Sequence, residues 1–190
     1  MEHRLVQLSK TISHALRHEP WVYELEPDGA GWVPIEALLA ALRDERPQWR
    51  DVSERDIARI IAESDKRRFE LGDGRIRALY GHSLPGRLHK TPAVPPALLF
   101  HGTTREAAAR LAREGLHPMG RQYVHLSTDQ ATARQVAGRK RGPAVILTIA
   151  AAEAHRHGVA FYEGNEQVWL ATGVPPAWIG EPARGSDEPR

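Results

Sequence analysis

Cysteine is absent from the 190-residue chain. This absence excludes disulfides, thiolate zinc sites and a cysteine nucleophile. The sequence also contains no apolar run near the roughly 20 residues that a membrane-spanning helix needs. Its first ten residues, MEHRLVQLSK, lack the apolar core of a secretion signal. We therefore expect a cytoplasmic protein that does not associate with membranes.

Lysine is scarce, because 22 of the 26 basic residues are arginine. The net charge is only +2, and acidic and basic residues are balanced on both sides of Lys90, so no half of the chain is basic. Arginine binds phosphate bidentately better than lysine does. A GC-rich genome would also raise the arginine content. Individual arginines must therefore be argued by position.

Four prolines lie between residues 84 and 96. Proline fixes φ and lacks an N–H donor, so this stretch cannot continue a helix or a central strand. We interpret residues 84–96 as a linker. It separates a domain at residues 1–83 from a second domain at residues 97–190.

The first domain shows a helical pattern followed by a hairpin. Apolar residues recur at helical spacing from Leu5 to Leu16, Pro34 is placed to open a second helix, and Ser53 is placed to cap a third. Asp73-Gly74 then favours a type I′ turn between two short strands. Three helices followed by a hairpin are typical of a winged helix. This fold often binds nucleic acid, but a fold alone does not establish function.

The second domain mixes strands and helices, so the fold class as a whole is α+β. Apolar runs predict strands at 98–100, 124–126, 145–149 and 168–170, and Gly115 is placed to end a helix. The tail from Pro182 to Arg190 is expected to fray.

Two groups of basic residues could bind phosphate in the first domain. Arg17 and His18 lie where Pro20 must end the first helix, although a cation is favoured there by the helix dipole alone. Arg68 precedes Phe69, and strand alternation turns it outward if Phe69 enters the core. A solvated charge run explains Arg68 equally well.

Polar residues on two strands of the second domain are further candidates. A strand leading into His101, Gly102 and Thr103 offers a ring, an open backbone and a hydroxyl. His125 and Ser127 share one face of another strand. Each signal is weak alone, and a solvent-facing strand would explain the second pair. No residue spacing predicts a metal site, so none is expected.

Together, these motifs and their order resemble the KptA-type RNA 2′-phosphotransferases from about Leu8 to about Ile179. The matching blocks in chain order are Leu8-Ser9-Lys10, Leu16-Arg17-His18, Asp28, Gly31-Trp32-Val33, Lys66, Arg68-Phe69, Ile76-Arg77-Ala78, Gly81-His82-Ser83, His101-Gly102-Thr103, Arg121, Val124-His125-Leu126-Ser127, Val168-Trp169-Leu170 and Val174-Pro175-Pro176. Several blocks in one order are far more specific than any single block.

The resemblance implies a winged-helix domain followed by an ADP-ribosyltransferase-like domain. It implies that the enzyme removes an internal 2′-phosphate from RNA, such as spliced tRNA, with NAD⁺ as a consumed co-substrate. The RNA phosphate would displace nicotinamide, giving an ADP-ribosylated 2′-phosphate intermediate. The products would be 2′-OH RNA and ADP-ribose 1″,2″-cyclic phosphate, with no metal required.

The resemblance also implies the site residues. The catalytic set falls on Arg17, His18, Arg68 and Arg121, and we expect guanidinium groups from both domains to meet at one phosphate. The NAD⁺ site falls on His101, Gly102, Thr103, His125 and Ser127.

Three positions depart from the family pattern: Tyr80, Tyr123 and Ala171. Two other functions remain open. One is an ADP-ribosyltransferase that caps terminal phosphates of RNA or DNA. The other is a winged-helix nucleic-acid binder without enzymatic activity. We expect a monomer in each case.

Overall fold

The computed structural model describes residues 2–139 and 141–180. These residues form two compact units, and the predicted fraying tail lies outside the described residues. The first unit comprises residues 2–90 together with Gly120–Gln122, and the second comprises residues 91–119 and 123–180. The short Gly120–Gln122 segment therefore packs within the first unit, although it lies in the stretch that we predicted for the second domain.

Three α-helices build most of the first unit: α1 (His3–Arg17), α2 (Ile35–Glu45) and α3 (Glu54–Glu63). Short 3₁₀ turns follow α1 at Pro20–Tyr23 and α2 at Pro47–Trp49. The apolar stripe predicted for α1 is confirmed, because Leu5, Leu8, Ile12 and Leu16 are all buried. They pack in the core of this unit with Leu38 and Leu42 of α2 and with Ile57 and Ile60 of α3.

The start of α2 differs from the prediction by one residue. Pro34 is not the first helical residue but precedes it, in the extended strand β1 (Val33–Pro34), where it lies opposite Arg75. The helix begins at Ile35, whose backbone N–H donates to the Gly74 carbonyl at 3.0 Å. Pairing with the neighbouring strand therefore keeps Pro34 extended.

The predicted cap of α3 is confirmed. The Ser53 side chain accepts from the helix backbone, and the Asp56 carboxylate accepts from the Ser53 backbone N–H at 2.9 Å. This reciprocal capping box satisfies donors that a helix start leaves unpaired.

The predicted hairpin of the first unit is also present. Strands β2 (Phe69–Gly72) and β3 (Arg75–Ala78) pair antiparallel, and β1 adds to β3 to give the order β1-β3-β2. The turn residues Asp73 and Gly74 both have positive φ, 51° and 68°. Positive φ at both central residues is the conformation that a type I′ turn requires.

The second unit is a five-stranded antiparallel sheet with three helices, in the strand order β6-β4-β5-β8-β7. Its elements are β4 (Leu99–Thr104), α4 (Arg105–Glu114), β5 (Val124–Ser127), α5 (Gln130–Ala137), β6 (Ala144–Ile149), α6 (Ala151–Arg156), β7 (Phe161–Asn165) and β8 (Val168–Ala171), followed by a 3₁₀ turn at Pro176–Trp178. The mixed helix and sheet content confirms the α+β class. Gly115 ends α4 with a φ of 87°, as predicted.

The sheet of the second unit has its core on one face. Leu99, Leu126, Leu147 and Trp169 are buried together there with residues from α4 and α6. Within the described residues, β4 and β5 share a single register pair, Phe100 with Ser127. The ladder between these two central strands is therefore short. None of the helices in 2–139 and 141–180 has the length and apolar character needed to cross a membrane.

Candidate active site

The side chain of Arg17, the last residue of α1, contacts one backbone carbonyl and two aromatic rings. Its Nη2 donates to the Arg68 carbonyl at 3.3 Å, and its guanidinium carbon lies 5.6 Å from the Phe69 ring centroid and 5.0 Å from that of Tyr80. The Nε atom is buried and makes no hydrogen bond with any residue that the structure describes. A buried donor without a partner is costly unless a ligand satisfies it.

The electrostatic surroundings of Arg17 favour an anion. Burial lowers the pKa of the Arg17 guanidinium to about 10. The nearby Tyr80 side chain opposes this lowering of the pKa, whereas Arg68 and Arg121 add to it by repulsion between like charges. A cation destabilised by burial and by other cations gains strongly from a bound anion.

His18 follows Arg17 and is oriented by Ser83. The His18 Nδ1 atom lies 2.8 Å from the Ser83 hydroxyl oxygen, and the Ser83 backbone N–H donates to the Arg17 carbonyl at 2.9 Å. Burial, followed by repulsion from Arg17, His14 and Arg121, lowers the pKa of the His18 imidazole below its usual 6.5, although Glu19 opposes this. The lowered pKa favours the neutral form of the ring, which can accept a proton.

Arg68 precedes β2 and lies next to Arg17. Phe69 is buried in the core, whereas Arg68, which precedes it, is only partly buried. The Arg68 Nη1 atom donates to the Ser64 hydroxyl, and the Arg68 carbonyl accepts from the Leu79 backbone N–H at 3.0 Å as well as from Arg17. The loop before β2 therefore fixes both the backbone and the guanidinium of Arg68.

Arg121 is carried by a segment that Gln122 fastens to the first unit. The buried Gln122 amide donates to the carbonyls of Leu84 at 3.2 Å and Gly86 at 2.6 Å and accepts from the Leu88 N–H at 3.1 Å. Arg121 itself is exposed, and its charge acts on both Arg17 and His18. Arg17, His18, Arg68 and Arg121 therefore all lie in the first unit, whereas we expected guanidinium groups from both predicted domains.

The candidate residues of the second unit lie on β4 and β5. The His101 side chain reaches across to β5, where its Nδ1 lies 3.0 Å from the His125 carbonyl oxygen. The His125 Nδ1 in turn lies 3.0 Å from the Tyr123 carbonyl oxygen. Ser127 is buried and directly opposite Phe100. His101 therefore contacts the β5 backbone at His125, and Ser127 lies two residues further along the same strand.

Gly102 and Thr103, the other two candidates, lie next to His101 on β4. A Cβ atom on Gly102 would lie 1.9 Å from the Ala133 backbone oxygen, so the absence of a side chain allows α5 to pack on β4. Close packing against α5 is therefore one reason for a glycine at this position. Thr103 is buried and pairs with Val145 of β6.

The comparisons with known proteins agree on one family. The family model "RNA 2′-phosphotransferase, Tpt1 / KptA family" matches residues 3–173. The chain belongs to this family. A probable RNA 2′-phosphotransferase of Acetivibrio thermocellus is 49% identical over 173 residues, which cover 91% of this chain and 94% of the relative.

Two further Tpt1/KptA relatives extend the similarity across bacteria. A probable RNA 2′-phosphotransferase of Bacillus thuringiensis subsp. konkukian is 48% identical, with 90% of this chain and 92% of the relative covered. One from Streptomyces coelicolor is 40% identical, with 96% and 98% covered.

The three positions expected to depart from the family pattern have structural partners here. The Tyr80 ring contacts the Arg17 guanidinium, and the Tyr123 ring packs edge-on against Tyr162 with 5.1 Å between centroids. Ala171 is buried in the core of the second unit. Tyr80 is therefore in contact with Arg17 of the candidate phosphate site, and the Tyr123 carbonyl is in contact with His125 of the second unit.

The structure also adds residues that sequence reasoning missed. Ser64 and Gln122 contact no proposed ligand, but they hold Arg68 and the Arg121 segment in place. No spacing or motif distinguishes either residue in the sequence. Their positioning role is visible only in the folded structure, where Ser64 contacts Arg68 and Gln122 contacts the carbonyls of Leu84 and Gly86.

Proposed function

We propose that this protein removes an internal 2′-phosphate from RNA by transferring it to NAD⁺. The observation that carries the proposal is the cluster of Arg17, His18, Arg68 and Arg121 around the end of α1, in a chain of the RNA 2′-phosphotransferase family. The relatives named above are probable RNA 2′-phosphotransferases, and the proposal extends that activity to this chain.

The cluster suits a phosphate monoester. Such a group carries nearly two negative charges at neutral pH, and guanidinium groups can hold its oxygens through paired hydrogen bonds. The Arg17 Nε atom, buried without a partner among the described residues, supplies a donor that a phosphate oxygen would satisfy. The lowered pKa of Arg17 reflects an electrostatic cost that the bound dianion would relieve.

The proposed reaction has two steps that balance. In the first, an oxygen of the RNA 2′-phosphate forms a bond to C1″ of the nicotinamide ribose while the bond to nicotinamide breaks. In the second, the ribose 2″-oxygen attacks phosphorus, and the bond from phosphorus to the RNA 2′-oxygen breaks. The 2″-hydroxyl proton ends on that RNA oxygen, which leaves 2′-OH RNA and ADP-ribose 1″,2″-cyclic phosphate.

His18 and the arginines have different roles in the second step. The neutral His18 ring, oriented by Ser83, can accept the 2″-hydroxyl proton and return it to the leaving oxygen. Arg17, Arg68 and Arg121 stabilise charge that builds on the phosphoryl oxygens.

We assign the NAD⁺ site to His101, Gly102, Thr103, His125 and Ser127 of the second unit. One further observation supports a polar ligand there: the Gln167 side-chain oxygen is buried with no hydrogen-bond partner among the described residues. The Gln167 backbone carbonyl accepts from the Thr128 N–H at 3.2 Å, so residue 167 lies next to the end of β5. A ribose hydroxyl would supply the missing donor.

The two units fit the fold assignments that accompany this function. Three helices and the β2–β3 hairpin support a winged-helix lobe in the first unit. A five-stranded antiparallel sheet with its central strands bearing polar residues supports an ADP-ribosyltransferase-like lobe in the second.

The decisive experiment uses a synthetic RNA with one internal 2′-phosphate. Incubation with the protein and NAD⁺ should give 2′-OH RNA and ADP-ribose 1″,2″-cyclic phosphate by mass spectrometry, and omission of NAD⁺ should give neither. Arg68→Ala and Arg121→Ala should each abolish product while leaving the circular dichroism spectrum unchanged. Arg113→Ala, which removes an exposed arginine from α4, is the matched control and should remain active.

The result also separates this function from the alternatives. Full activity of both Arg68→Ala and Arg121→Ala would overturn the mechanism. A stable ADP-ribosylated RNA without cyclic phosphate would indicate a transferase that stops after the first step. No product together with no NAD⁺ binding by calorimetry would indicate a nucleic-acid binder.

A further inference from the structure

Lys90 is a partly buried lysine to which the proposed reaction assigns no role. It is one of only four lysines in the chain and lies at the end of the first unit. Its Nζ atom donates to the Leu79 backbone carbonyl at 2.7 Å. Ordering a lysine side chain and removing its ammonium from water both cost free energy. The hydrogen bond to Leu79 must compensate for that cost.

The charged groups that face Lys90 come from the two strands of the hairpin. Burial, followed by repulsion from Arg77 of β3, lowers the pKa of the Lys90 ammonium to about 8, and Glu70 of β2 opposes this lowering. Glu70 is already paired with Arg77, because 2.6 Å separates its Oε2 from the Arg77 Nη2. The polar contact that holds the Lys90 ammonium is therefore the Leu79 carbonyl.

Leu79 connects Lys90 to the proposed phosphate site. It lies directly after β3, and its backbone N–H donates to the Arg68 carbonyl at 3.0 Å. The same Arg68 carbonyl accepts from the Arg17 Nη2 atom at 3.3 Å. The backbone of Leu79 is thus hydrogen-bonded to the arginine cluster through its N–H and to Lys90 through its carbonyl.

The next residue, Tyr80, contacts Arg17 directly. Its ring centroid lies 5.0 Å from the Arg17 guanidinium carbon. The Leu79 carbonyl belongs to the peptide group that joins Leu79 to Tyr80, and a peptide group is planar. Fixing its oxygen therefore also fixes the direction in which the Tyr80 backbone leaves the peptide. The contact with Lys90 in this way restricts where the Tyr80 ring can lie.

We propose that Lys90 is a positioning residue for the phosphate site, because its ammonium fixes the Leu79–Tyr80 peptide that carries the Tyr80 ring over Arg17. The inference rests on the proposed function, since Lys90 acts only through the Arg17 site and touches no substrate. A charged donor suits this role, because its hydrogen bonds are shorter and stronger than those of a neutral donor.

The first test removes the donor. Lys90→Met keeps an unbranched apolar chain and should lower both kcat/KM on 2′-phosphorylated RNA and the affinity for inorganic phosphate about tenfold, as expected for loss of a hydrogen bond from a charged group. Steady-state kinetics gives kcat/KM, and nuclear magnetic resonance titration gives the phosphate affinity. Values within about twofold of the wild type in both measurements would overturn the proposal.

A double variant tests whether Lys90 acts through Tyr80. In a Tyr80→Ala background, Lys90→Met should lower phosphate affinity by less than about a further twofold, because the ring that Lys90 positions is already gone. Losses that multiply in the double variant would overturn the proposed path from Lys90 to Arg17.

Arg43→Met is the matched control for a general loss of stability. Arg43 lies in α2 of the same unit, and its Nη2 atom likewise donates to a backbone carbonyl, that of Val52, at 2.8 Å. Thermal unfolding measures the stability lost in each variant. Arg43→Met should leave kcat/KM and phosphate affinity unchanged. A loss of phosphate affinity equal to that of Lys90→Met would show that Lys90 acts by stability alone.

The pH profile of phosphate binding is a readout that a merely structural role would not move. The Lys90 charge is present below its pKa of about 8 and is lost as pH rises through that value, so wild-type phosphate affinity should fall there. The Arg17 pKa of about 10 lies above this range. Lys90→Arg keeps a cationic donor and should bind phosphate while moving the fall to higher pH. Phosphate binding by Lys90→Arg no better than by Lys90→Met would overturn the role of the charge.

The outcomes separate this inference from the proposed function. If the wild type releases no 2′-OH RNA but phosphate affinity still shows the dependence on Lys90 and its coupling to Tyr80, the proposed activity is overturned and the positioning role stands. If the wild type is active and Lys90→Met matches it in both kcat/KM and phosphate affinity, the positioning role is overturned and the activity stands.

Discussion

The guanidinium of Arg17 lies over the ring of Tyr80, with 5.0 Å between the guanidinium carbon and the ring centroid. Gly81 follows with a φ of 90°, and a Cβ there would lie 3.5 Å from the Arg17 Cδ and Nη1 atoms. The Tyr80-Gly81 segment therefore covers Arg17 closely. Tyr80, at a position expected to depart from the family pattern, thus contributes to the geometry of the proposed phosphate site.

Replacing the Tyr80 ring tests this contact. Contacts between a cation and an aromatic face contribute roughly 0.5–2 kcal/mol, so Tyr80→Ala should reduce kcat/KM on 2′-phosphorylated RNA by about 2- to 30-fold. Tyr80→Phe keeps the ring and should stay within about twofold of the wild type. Steady-state kinetics on both variants provides the measurement. Equal damage from both substitutions would show that the hydroxyl, and not the ring, supports Arg17.

A second prediction concerns the protonation of His18. Nuclear magnetic resonance titration should place the midpoint of His18 below 6.5, because burial and neighbouring cations disfavour its charged form. Arg121→Ala removes one of those cations and should raise the midpoint. Binding of inorganic phosphate should also raise it, since an adjacent dianion favours the imidazolium.

The lowered pKa of His18 also predicts how activity depends on pH. If the neutral His18 ring accepts a proton, activity is present above its lowered pKa and is lost as pH falls through that value. Substitutions that raise the pKa should move this acid limb to higher pH. Arg113→Ala should move neither the titration midpoint nor the limb. A His18 midpoint above 6.5 in the wild-type protein would contradict the assigned role.

A third prediction is that Gly102→Ala destabilises the second unit. A Cβ atom 1.9 Å from the Ala133 oxygen cannot be accommodated unless α5 moves away from β4. Forced overpacking commonly costs about 1–3 kcal/mol, and displacement of backbone should place this substitution at or above the upper value. Thermal unfolding should show a clearly lowered Tm.

Gly138→Ala is the matched control for this substitution. Gly138 has ordinary helical φ, and a Cβ there would make contacts of 3.5 Å and longer. It should change Tm little. An unchanged Tm in Gly102→Ala would mean that α5 can shift freely and that its close packing on β4 does not contribute to stability.

Sequence reasoning succeeded where a local rule determines the structure. The turn at Asp73-Gly74, the cap at Ser53 and the stop at Gly115 each follow from the chemistry of one or two residues. It missed α6 and β7, because α6 is short and β7 has the polar sequence FYEGN, without a clear apolar alternation.

The same limit applies to the candidate site. Arg17, His18 and Arg68 are recognisable from neighbouring prolines, apolar residues and family motifs. The placement of Arg121 in the first unit is not, because Gln122 makes its three side-chain hydrogen bonds to residues 34 to 38 positions away. Gly102 was recognisable as part of a motif, but its close packing against α5 was not, because the helix comes from a distant part of the chain.

The last prediction concerns Gln122 as a positioning residue for Arg121. Gln122→Glu keeps the shape of the side chain but removes the amide donors to the Leu84 and Gly86 carbonyls. Buried acceptors left without donors cost about 1–3 kcal/mol. We expect the Gly120–Gln122 segment to detach locally and kcat/KM for 2′-phosphorylated RNA to fall at least about tenfold, on the same free-energy scale.

Hydrogen exchange separates this positioning role from a general loss of stability. The Gln122 backbone N–H, which donates to the His82 carbonyl at 3.1 Å, should exchange faster in Gln122→Glu, while amides in the core of α1 keep their protection. Gln130→Glu makes the same chemical change at an exposed position of α5 and should alter neither exchange nor activity. Faster exchange with full activity would show that Arg121 does not depend on Gln122 for its placement.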